Sequence, residues 1–350
     1  MELAMPVVWS DRCLLHDPQS EIWVGVRTPA AETPQRIEWI RAALAEAGAP
    51  IVDAQPHADE PLLGVHDQEL LDYLASAWDE WESAGLPADP GQDRVVPYVF
   101  AHEALGSALA VPTAVWAKPG YFSYDTMTLV GPGTWEAARA AVDVTLTAVD
   151  YVLRGASAAY ACTRPPGHHA CRAGYGGSCY LNNAACAAVA LLDGLGGTVA
   201  VLDVDAHHGN GTQQVFYDRD DVFVGSLHVD PGAGWFPHFL GYADETGTGA
   251  NRNLPLAPGG GDAEWLEAVS ELVTWARSRG PAGLVVSLGV DAAAEDPESP
   301  LRVTAAGFRQ TGALLGALGL PTVIVQEGGY HPEIGELVRE TLLGFEEARR

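Results

Sequence analysis

The chain has 350 residues, of which 47% are apolar, which is enough for a substantial core in one large α/β domain or two ordinary ones. Its 46 acidic residues outnumber the 19 basic ones, so the formal net charge is −27. This charge argues against attraction to phosphate backbones, and we expect no nucleic-acid partner. It favours a cationic substrate, although an acidic surface also serves solubility alone.

The first residues lack the basic and long apolar regions of a signal peptide, and the most apolar stretch, 284–290, is too short to span a bilayer. We therefore expect a soluble, cytoplasmic protein with no membrane partner. The five cysteines form no C-x-x-C pair, so we expect free thiols; they are Cys13, Cys162, Cys171, Cys179 and Cys186. A redox role for Cys162, Cys171 and Cys179, which lie near a pair of histidines, is the alternative.

Helix-like and strand-like segments alternate from about residue 33 onward. Residues 34–48 and 133–155 have the apolar spacing of amphipathic helices. Short β-branched runs follow at 156–163, 198–205, 221–230, 283–291 and 321–330. Such runs, separated by helices or loops, are typical of a parallel sheet covered by helices on both faces. We find no repeat or linker, and predict one α/β domain over residues 1–350.

Chemically active side chains follow four of these strands, at the edge where parallel sheets bind ligands. They lie in RPPGHH (164–169), in AHHGNG (206–211), at Asp291 and in EGGY (327–330). A long loop at about 95–133 carries the aromatic residues Trp116, Tyr121, Phe122 and Tyr124. We predict that this loop lines the mouth of the crevice or packs on a second subunit.

The segment VAVLDVDAHHGNG (199–211) begins as a buried strand and ends in acidic and imidazole side chains. Asp203, Asp205 and His207 fall at i, i+2 and i+4, so an extended backbone would point all three to one face. Asp205, His207 and Asp291 supply one imidazole and two carboxylates, a set that leaves a position on zinc for water. We therefore predict a hydrolytic metal centre with these three ligands.

The adjacent histidines His168 and His169 are poorly placed to bind one metal together. They are better suited to act as acid and base beside it, each oriented through its other ring nitrogen by Asp203 or Asn210. A histidine paired with the neutral Asn210 holds its proton less tightly than one paired with Asp203, which separates a base from an electrostatic stabiliser. Tyr330, which follows two glycines, can donate to a developing oxyanion.

Taken together, RPPGHHA, LDVDAHHGNGT, SLH, SLGVDA and EGGY resemble the motifs of the zinc-dependent histone deacetylase-like amidohydrolases, which have the arginase–deacetylase fold. The resemblance runs over nearly the whole chain. Within that superfamily, GPGTWEAA, FPHFLGYADETGTG and NGTQQVFYDRDDVF are most similar to bacterial acetylpolyamine amidohydrolases. The resemblance implies a mostly parallel sheet of about eight strands and an enzyme that removes an acetyl or small acyl group from an amine.

The resemblance also implies a role for each catalytic residue. The implied ligands of Zn²⁺, for which Fe²⁺ or Co²⁺ can substitute, are Asp205, His207 and Asp291. His169 with Asn210 is implied to be the general base and then the general acid. His168 with Asp203 is implied to stabilise charge, and Tyr330 to polarise the amide carbonyl together with the metal.

Substrate, potassium and subunit contacts are implied in the same way. Gly177 accepts the amide N–H of the substrate through its carbonyl, and Phe236 lines one wall of the tunnel. A structural K⁺ is implied at Asp203, Asp205, His207, Ser226 and Leu227, and a second one near Phe216, Arg219 and Val222. The loop that matches 95–133 builds a dimer in the similar amidohydrolases, which implies a homodimer here.

Two features depart from the pattern of polyamine-directed relatives. Ser178 stands where they carry an aromatic tunnel wall, and Trp116 and Met127, with Lys118 nearby, stand where their loop carries acidic residues. These changes predict a wider tunnel and weaker recognition of a distal ammonium, hence a bulkier or less charged substrate than N-acetylputrescine. Other loops offer acidic residues that could restore the charge, namely Asp125, Asp67 and Glu21.

Several functions stay open from the sequence. The amide could belong to an acetylpolyamine, to an acetylated biosynthetic intermediate, or to acetyl-lysine in a peptide or protein. A catalytically silent relative would be expected to lose Tyr330 or the histidine pair, and both are present. An arginase-type binuclear manganese hydrolase would need additional Asp and His ligands at 164–169 and 206–211, which are not apparent.

Overall fold

The central element of the molecule is a sheet of eight parallel strands. The computed structural model describes residues 2–89, 91–106 and 109–350. The strands are β1 (Val7–Trp9), β2 (Glu21–Trp23), β3 (Val26–Thr28), β4 (Ile51–Asp53), β5 (Ala158–Ala161), β6 (Val199–Asp203), β7 (Val222–Val229), β8 (Asn251–Leu256), β9 (Gly283–Leu288) and β10 (Thr322–Gln326). The order in the sheet is β4-β1-β5-β10-β9-β6-β7-β8, with every neighbouring pair parallel, and β2 and β3 form a separate antiparallel hairpin.

Helices cover both faces of this sheet. They are α1 (Gln35–Glu46), α2 (Glu60–Leu63), α3 (Gln68–Ser83), α4 (Pro119–Phe122), α5 (Thr134–Leu153), α6 (Asn183–Leu195), α7 (Asn210–Phe216), α8 (Asp262–Arg279), α9 (Ala305–Gly316) and α10 (Ile334–Glu347). Helices α1, α10, α9 and α8 pack in a row, whereas α5 packs against α6. Within the described residues, none of the helices is long and apolar enough to cross a membrane.

The inner strands are buried along their full length, which explains their composition. Every residue of β5, β6, β7, β9 and β10 is buried. A parallel strand with helices on both faces needs apolar side chains on both sides, so these segments are continuous rather than alternating apolar runs. Val201 of β6 pairs with Val224 of β7 on one side and with Val285 of β9 on the other. This packing fixes the positions of the residues that follow each strand.

The predicted fold class is confirmed: the protein is an α/β domain built on one eight-stranded parallel sheet. Each of the five predicted strand segments contains a strand, and the two predicted helices are α1 and α5. Strands β1, β4 and β8 were not among the predicted runs. Strands β1 and β4 have only three residues each, which is too short to show a period, and β8 carries polar side chains within NRNLPL.

The backbone after β6 differs from the extended run that the sequence predicts. The strand ends at Asp203, and Asp205 and His207 lie in the turn that leads to α7. Two hydrogen bonds shape this turn, from the N–H of Asp205 to Asp203 Oδ1 (3.1 Å) and from the N–H of His207 to Asp205 Oδ1 (2.8 Å). Aspartate side chains often fold the chain locally in this way. The predicted extended geometry is therefore wrong, because local side-chain bonds replace it.

Candidate active site

The carboxyl ends of β6 and β9 bring one imidazole and two carboxylates together. Atoms of Asp205, His207 and Asp291 that can bind a metal lie within 4.8 Å of one another. His207 Nδ1 is 2.9 Å from Asp291 Oδ2 and 3.3 Å from Asp205 Oδ1. Both aspartates are buried, whereas His207 is partly exposed and lines a pocket. The three predicted metal ligands therefore converge.

Backbone N–H groups hold both carboxylates. Gly328 donates to Asp205 Oδ2 and Ala206 donates to Asp291 Oδ1, each at 2.8 Å. In the described part of the chain, the ionic partners of the two carboxylates are histidines, not Lys or Arg. Burial and the charge of Asp205 raise the pKa of Asp291 to about 7. Two buried carboxylates so close together repel each other, and a divalent cation between them would compensate their charge.

The donor set fits a catalytic metal. Zinc in hydrolases takes three protein ligands of nitrogen and oxygen type and keeps a further position open for substrate or water. Asp205, His207 and Asp291 are such a set, and they lie at the wall of a pocket that a substrate can enter. A metal bound there supplies Lewis-acid polarisation of a carbonyl and a lowered pKa of water.

A second cluster of potential ligands lies beside the first, and it contains one carboxylate, one imidazole and one thiol. His168, Cys179 and Glu327 approach one another within 4.8 Å. Glu327 Oε2 accepts the N–H groups of Gly167 (2.6 Å) and His168 (3.1 Å), and His168 Nδ1 lies 3.0 Å from Asp203. Burial raises the pKa of Glu327 to about 7 and that of Cys179 well above its ordinary value. These groups therefore do not offer the second, carboxylate-rich site that a binuclear hydrolase requires.

The tandem histidines have different partners and different proton affinities. His168 Nδ1 lies 3.0 Å from Asp203 Oδ2, whereas His169 Nδ1 lies 2.7 Å from Asn210 Oδ1. Burial acts to lower the pKa of His168, but the carboxylates of Asp203 and Asp205 raise it to about 10. Burial and the charge of His168 lower the pKa of His169 well below its ordinary value. The surroundings of His168 therefore favour its protonated ring, whereas those of His169 favour the neutral imidazole, which can accept a proton.

Two glycines permit close approach to these groups. A Cβ at Gly209 would lie 2.2 Å from Asp203 Oδ2, and one at Gly177 would lie 2.3 Å from the His169 ring and 2.9 Å from Phe236. Gly177 also has a φ of +58°, in the left-handed region that favours glycine. Both positions therefore require glycine for reasons of space.

Tyr330 enters the pocket from the loop that follows β10. Its N–H donates to Asp296 Oδ2 at 2.7 Å, and the Arg36 guanidinium lies over its ring at 4.5 Å. Arg36 also donates to the carbonyls of Glu327 (2.7 Å) and Gly329 (2.5 Å), on the same loop. Burial raises the pKa of Tyr330 well above its ordinary value. The phenol therefore keeps its proton and can donate a hydrogen bond to a substrate oxygen.

A small pocket of about 80 Å³ leads to these catalytic groups. Its lining residues are Glu21, Ala31, Glu32, Met127, His169, Gly177, Ser178, His207, Phe236, Glu298 and Tyr330. Phe236 stands edge-on to His169, with the ring centroids 4.8 Å apart. Gly177 and Ser178 are tied to the long loop, because Gly177 donates to Asp125 Oδ2 at 2.6 Å and Ser178 donates to Thr128 Oγ1 at 2.8 Å.

The positions that depart from the polyamine-directed pattern lie in different places. Ser178 and Met127 line the catalytic pocket. Trp116, predicted as a substrate-binding residue, instead lines a separate apolar pocket with Trp81 and other residues, so it does not line the catalytic pocket of its own chain. The ammonium of Lys118 lies 2.5 Å from Glu80, so its charge is paired.

The three acidic residues expected to supply negative charge also differ in their placement. Asp125 is partly buried and accepts backbone N–H groups, so its carboxylate holds the loop. Asp67 lies 3.8 Å from Arg172 and is not part of the pocket lining. Glu21 lines the pocket, and Glu298, which the sequence analysis did not single out, lines it as well. The expectation of a less charged substrate rested on Trp116 and Met127, and it did not take the carboxylate of Glu298 into account.

Other supporting residues also escaped the sequence analysis. Asp296, which holds Tyr330, lies in an acidic loop five residues after Asp291, and this spacing was the available signal. Arg36 and Glu32 form a buried ion pair at 2.7 Å, and Glu32 also accepts from Arg164 at 2.8 Å. Nothing in their local sequence distinguishes these charges from exposed ones on a helix surface.

The residues implied for potassium lie at the end of β6, in the turn that follows it and within the neighbouring strand β7. Asp203 of β6 pairs in register with Ser226 of β7, and Leu227 follows it. Ser226 Oγ lies 2.8 Å from His228 Nδ1. The residues of the second implied site run from the end of α7 to the start of β7, and the N–H of Arg219 donates to the carbonyl of Phe216.

All five cysteines are free, as predicted. Four are buried, and Cys171 is partly exposed. Burial raises the pKa of Cys171 to about 12, which disfavours the reactive thiolate. The structure therefore gives no support to a redox role for these thiols.

The fold and the site together define a hydrolase of the metal-assisted type that acts on amides. The family model of the histone deacetylase domain matches residues 30–343, and the chain belongs to this family. Members of the family use a metal ion, typically zinc, which agrees with the convergence of Asp205, His207 and Asp291.

Relatives of similar length support this assignment. The chain is 41% identical to acetylpolyamine amidohydrolase 1 of Pseudomonas aeruginosa, with 98% of this chain and 99% of the relative covered. It is 40% identical to the acetylpolyamine amidohydrolase of Mycoplana ramosa, with 97% and 99% covered. The crystal structure of the acetylpolyamine aminohydrolase from Burkholderia pseudomallei superposes with a TM-score of 0.93 at 38% identity, covering 99% of this chain and 100% of that one.

Proposed function

We propose that the protein hydrolyses the acetyl amide of a small cationic amine, with acetylpolyamines as the substrate class and zinc as the metal. The observation that supports this proposal most directly is that Glu21 lies in the same small pocket as His169 and Tyr330. Burial, and the charges of Glu298 and Asp125, raise the pKa of Glu21 to about 7. An ammonium group in the pocket would stabilise this carboxylate, and the named relatives support the same class of substrate.

The side chains divide the chemistry between them. His169 takes the proton of the attacking water and returns it to the departing amine, since its ring is neutral and its Nδ1 is held by Asn210. His168 remains cationic and stabilises negative charge near the carbonyl. Tyr330 donates to the carbonyl oxygen as it becomes negative. The carbonyl of Gly177 accepts the amide N–H and orients the substrate.

A comparison of four substrates tests the proposal. The enzyme is stripped of metal, reloaded with zinc, and assayed for kcat/KM on N-acetylputrescine, N-acetylspermidine, an acetyl-lysine peptide and neutral N-butylacetamide. We expect the acetylated polyamines to exceed the neutral amide by about tenfold or more, or 1.4 kcal/mol. A tenfold preference for the peptide would instead show that the protein is a deacetylase of acetyl-lysine. If no amide were hydrolysed, the protein would be a catalytically silent relative.

We also propose a structural K⁺ at Asp203, Asp205, His207, Ser226 and Leu227, and a second near Phe216, Arg219 and Val222. The pairing of Asp203 with Ser226 across neighbouring strands supports the first site, because it collects oxygen atoms at one buried point. Replacement of K⁺ by a large organic cation in the buffer should lower the melting temperature. An unchanged melting temperature and activity would contradict the proposal.

We propose that two copies of the chain associate through the surface around the pocket mouth. A groove of about 610 Å³ adjoins the catalytic pocket and is lined by apolar side chains of the β2–β3 hairpin, the long loop and the segment after Phe236. Trp23, Val24 and Phe239 are strongly exposed there. Exposed apolar patches of this kind mark interaction surfaces. Light scattering should give twice the chain mass, and Phe239→Asp should weaken the dimer; a wild-type monomer at micromolar concentration would contradict it.

We further propose a reducing, cytoplasmic location, which the five free cysteines support. Titration of the unfolded protein, purified without reductant, should find five reactive thiols. A disulfide in protein isolated from cells would contradict this location.

A further inference from the structure

The loop between β7 and β8, residues 230–250, places Phe236 beside the catalytic base. The Phe236 ring stands edge-on to His169, and it lines both the catalytic pocket and the apolar groove next to it. Most residues of this loop are exposed, among them His238 and Phe239. A loop with so few buried side chains needs an anchor in the interior to hold Phe236 in place.

Gly241 is the point at which this loop returns to the interior. It is buried, whereas its neighbours Leu240 and Tyr242 are exposed. A Cβ at Gly241 would lie 2.8 Å from Nε2 of His228 and 2.9 Å from Cγ of His208. Two imidazole rings therefore contact the backbone directly at this point, and the φ of +104° also favours glycine.

His228, a buried residue of β7, holds the carbonyl of Gly241. Its Nε2 lies 2.8 Å from that oxygen, and its Nδ1 lies 2.8 Å from the hydroxyl of Ser226. Burial lowers the pKa of His228 to about 4, so the ring is neutral and carries one N–H. Because a carbonyl can only accept, Nε2 carries the proton and donates to Gly241, while Nδ1 accepts from Ser226.

Glu245 holds the other side of the same residue. Its Oε2 accepts the N–H of Gly241 at 3.0 Å and the side-chain amide of Gln213, which lies on α7, at 2.6 Å. The N–H and the carbonyl of Gly241 are thus both bonded to side chains. These side chains belong to other segments or to the far end of the loop, so the backbone at Gly241 is fixed relative to the sheet.

A short bonded stretch connects this anchor to Phe236. The hydroxyl of Tyr242, the residue after Gly241, donates to the carbonyl of His238 at 3.0 Å. The N–H of His238 in turn donates to the carbonyl of Trp235 at 2.9 Å, which closes a tight turn around Phe236. A displacement of Gly241 therefore moves the turn that carries the aromatic wall.

We infer that His228 is a positioning residue for the substrate: its bond to Gly241 sets the distance between the Phe236 wall and the catalytic base. The inference rests on the proposed function, because it concerns the fit of the acylated amine in the pocket. His228 lies on a strand behind the loop and acts through Gly241 and Phe236. Its loss should therefore weaken substrate binding more than it slows the chemical step.

Two substitutions separate the two nitrogen atoms of His228. The amide of glutamine extends to the place of Nε2 and can donate to Gly241, whereas the shorter asparagine reaches only the place of Nδ1 and keeps the contact with Ser226. In the zinc-loaded enzyme, His228→Asn should raise KM for N-acetylputrescine about tenfold, the size of one lost buried hydrogen bond, with a smaller fall in kcat. His228→Gln is the matched control and should retain a KM near the wild-type value.

A double-mutant cycle shows whether the effect passes through the wall. In a Phe236→Ala background, His228→Asn should change KM by less than about twofold, because the wall that it positions is gone. An effect on KM of equal size in both backgrounds would overturn the inference, as would a wild-type KM in His228→Asn. Gly241→Ala disturbs the same contact from the loop side, so it should raise KM in the same way and decides the question if His228→Asn does not fold.

Hydrogen–deuterium exchange of residues 236–242, measured by mass spectrometry, gives a second readout that needs no substrate. Exchange there should be faster in His228→Asn than in the wild type and in His228→Gln. Equal exchange in all three proteins would overturn the inference while leaving the proposed function intact. A wild type that hydrolyses no acetylated amine would overturn the proposed function and, with it, the role of His228 in substrate binding, even if exchange confirmed the anchor.

Discussion

The adjacent histidines His168 and His169 bond different partners through Nδ1, and their pKa values are shifted in opposite directions. His169 Nδ1 lies 2.7 Å from the neutral amide oxygen of Asn210, while His168 Nδ1 lies 3.0 Å from the carboxylate of Asp203. The pKa of His168 is raised to about 10, and that of His169 is lowered well below its ordinary value. Because Nδ1 of His169 is occupied by the Asn210 oxygen, Nε2 is the atom that remains to accept a proton.

Asn210→Asp should therefore disturb the base without changing its shape. A carboxylate at this position favours the protonated imidazole and raises the pKa of His169. A base with a higher pKa becomes protonated, and therefore inactive, at a higher pH. The acidic limb of the kcat/KM profile should therefore move to higher pH, by about one unit or more. A pH–rate profile measures this shift. An unchanged acidic limb would show that His169 is not the base.

His169→Ala and Asp205→Ala should separate catalysis from metal binding. Loss of the acid–base residue should lower kcat/KM by about 10² to 10⁴ while the metal stays bound. Loss of Asp205 should release the metal, because it removes one of three ligands. Metal analysis after gel filtration, alongside the assay, distinguishes the two variants. Full activity in His169→Ala would contradict the assigned mechanism.

Gly177→Ala should obstruct the pocket next to the base. The new Cβ would lie 2.3 Å from the His169 ring, and the positive φ adds backbone strain. Displacement of a catalytic group by about 1 Å costs about 100-fold in rate, so we expect at least this loss in kcat/KM. Gly261→Ala is a control in open space, where the nearest atom is 3.7 Å from the added Cβ. Equal activities of the two variants would argue against the assigned position of the substrate.

The binding of cationic substrates should weaken at acidic pH. The pKa of Glu21 is raised to about 7, so this carboxyl is charged above pH 7 and neutral below it. KM for N-acetylputrescine should therefore rise as the pH falls through 7, whereas KM for N-butylacetamide should lack this component. Glu21→Gln should remove the difference in pH dependence between the two substrates. If the variant retained it, Glu21 would not be the group that senses the ammonium.

Much of the fold follows from local sequence, because buried parallel strands must be continuous apolar runs. Strands β5, β6, β7, β9 and β10 are visible for this reason. Strands β1 and β4 could not be predicted from the sequence, since three residues are too few to show a period. The segment after Asp203 was predicted to be extended but forms a turn. The turn is shaped by hydrogen bonds from backbone N–H groups to the carboxylates of Asp203 and Asp205, and the pattern of apolar residues does not reveal such bonds.

The catalytic groups were accessible to sequence reasoning because they occur in dense motifs at strand ends. Residues that act through long-range contacts were not. Arg36 is 293 residues from Gly329, whose carbonyl it binds, and Asp125 is 52 residues from Gly177. Glu298 and Glu21 share a pocket only because the fold brings β2 to the β9–α9 loop. Charge alone does not reveal such pairs, since most acidic residues of this chain are exposed.

The central claim is that Asp205, His207 and Asp291 hold a metal that this chain uses to hydrolyse acetylated amines. The most direct measurement is the release of acetate from N-acetylspermidine by one enzyme preparation, first after chelation and then after addition of zinc. We expect no acetate without metal, and equal amounts of acetate and free amine once one zinc ion is bound per chain. Undiminished hydrolysis by the metal-free protein, or no acetate from the zinc-loaded protein, would contradict the account.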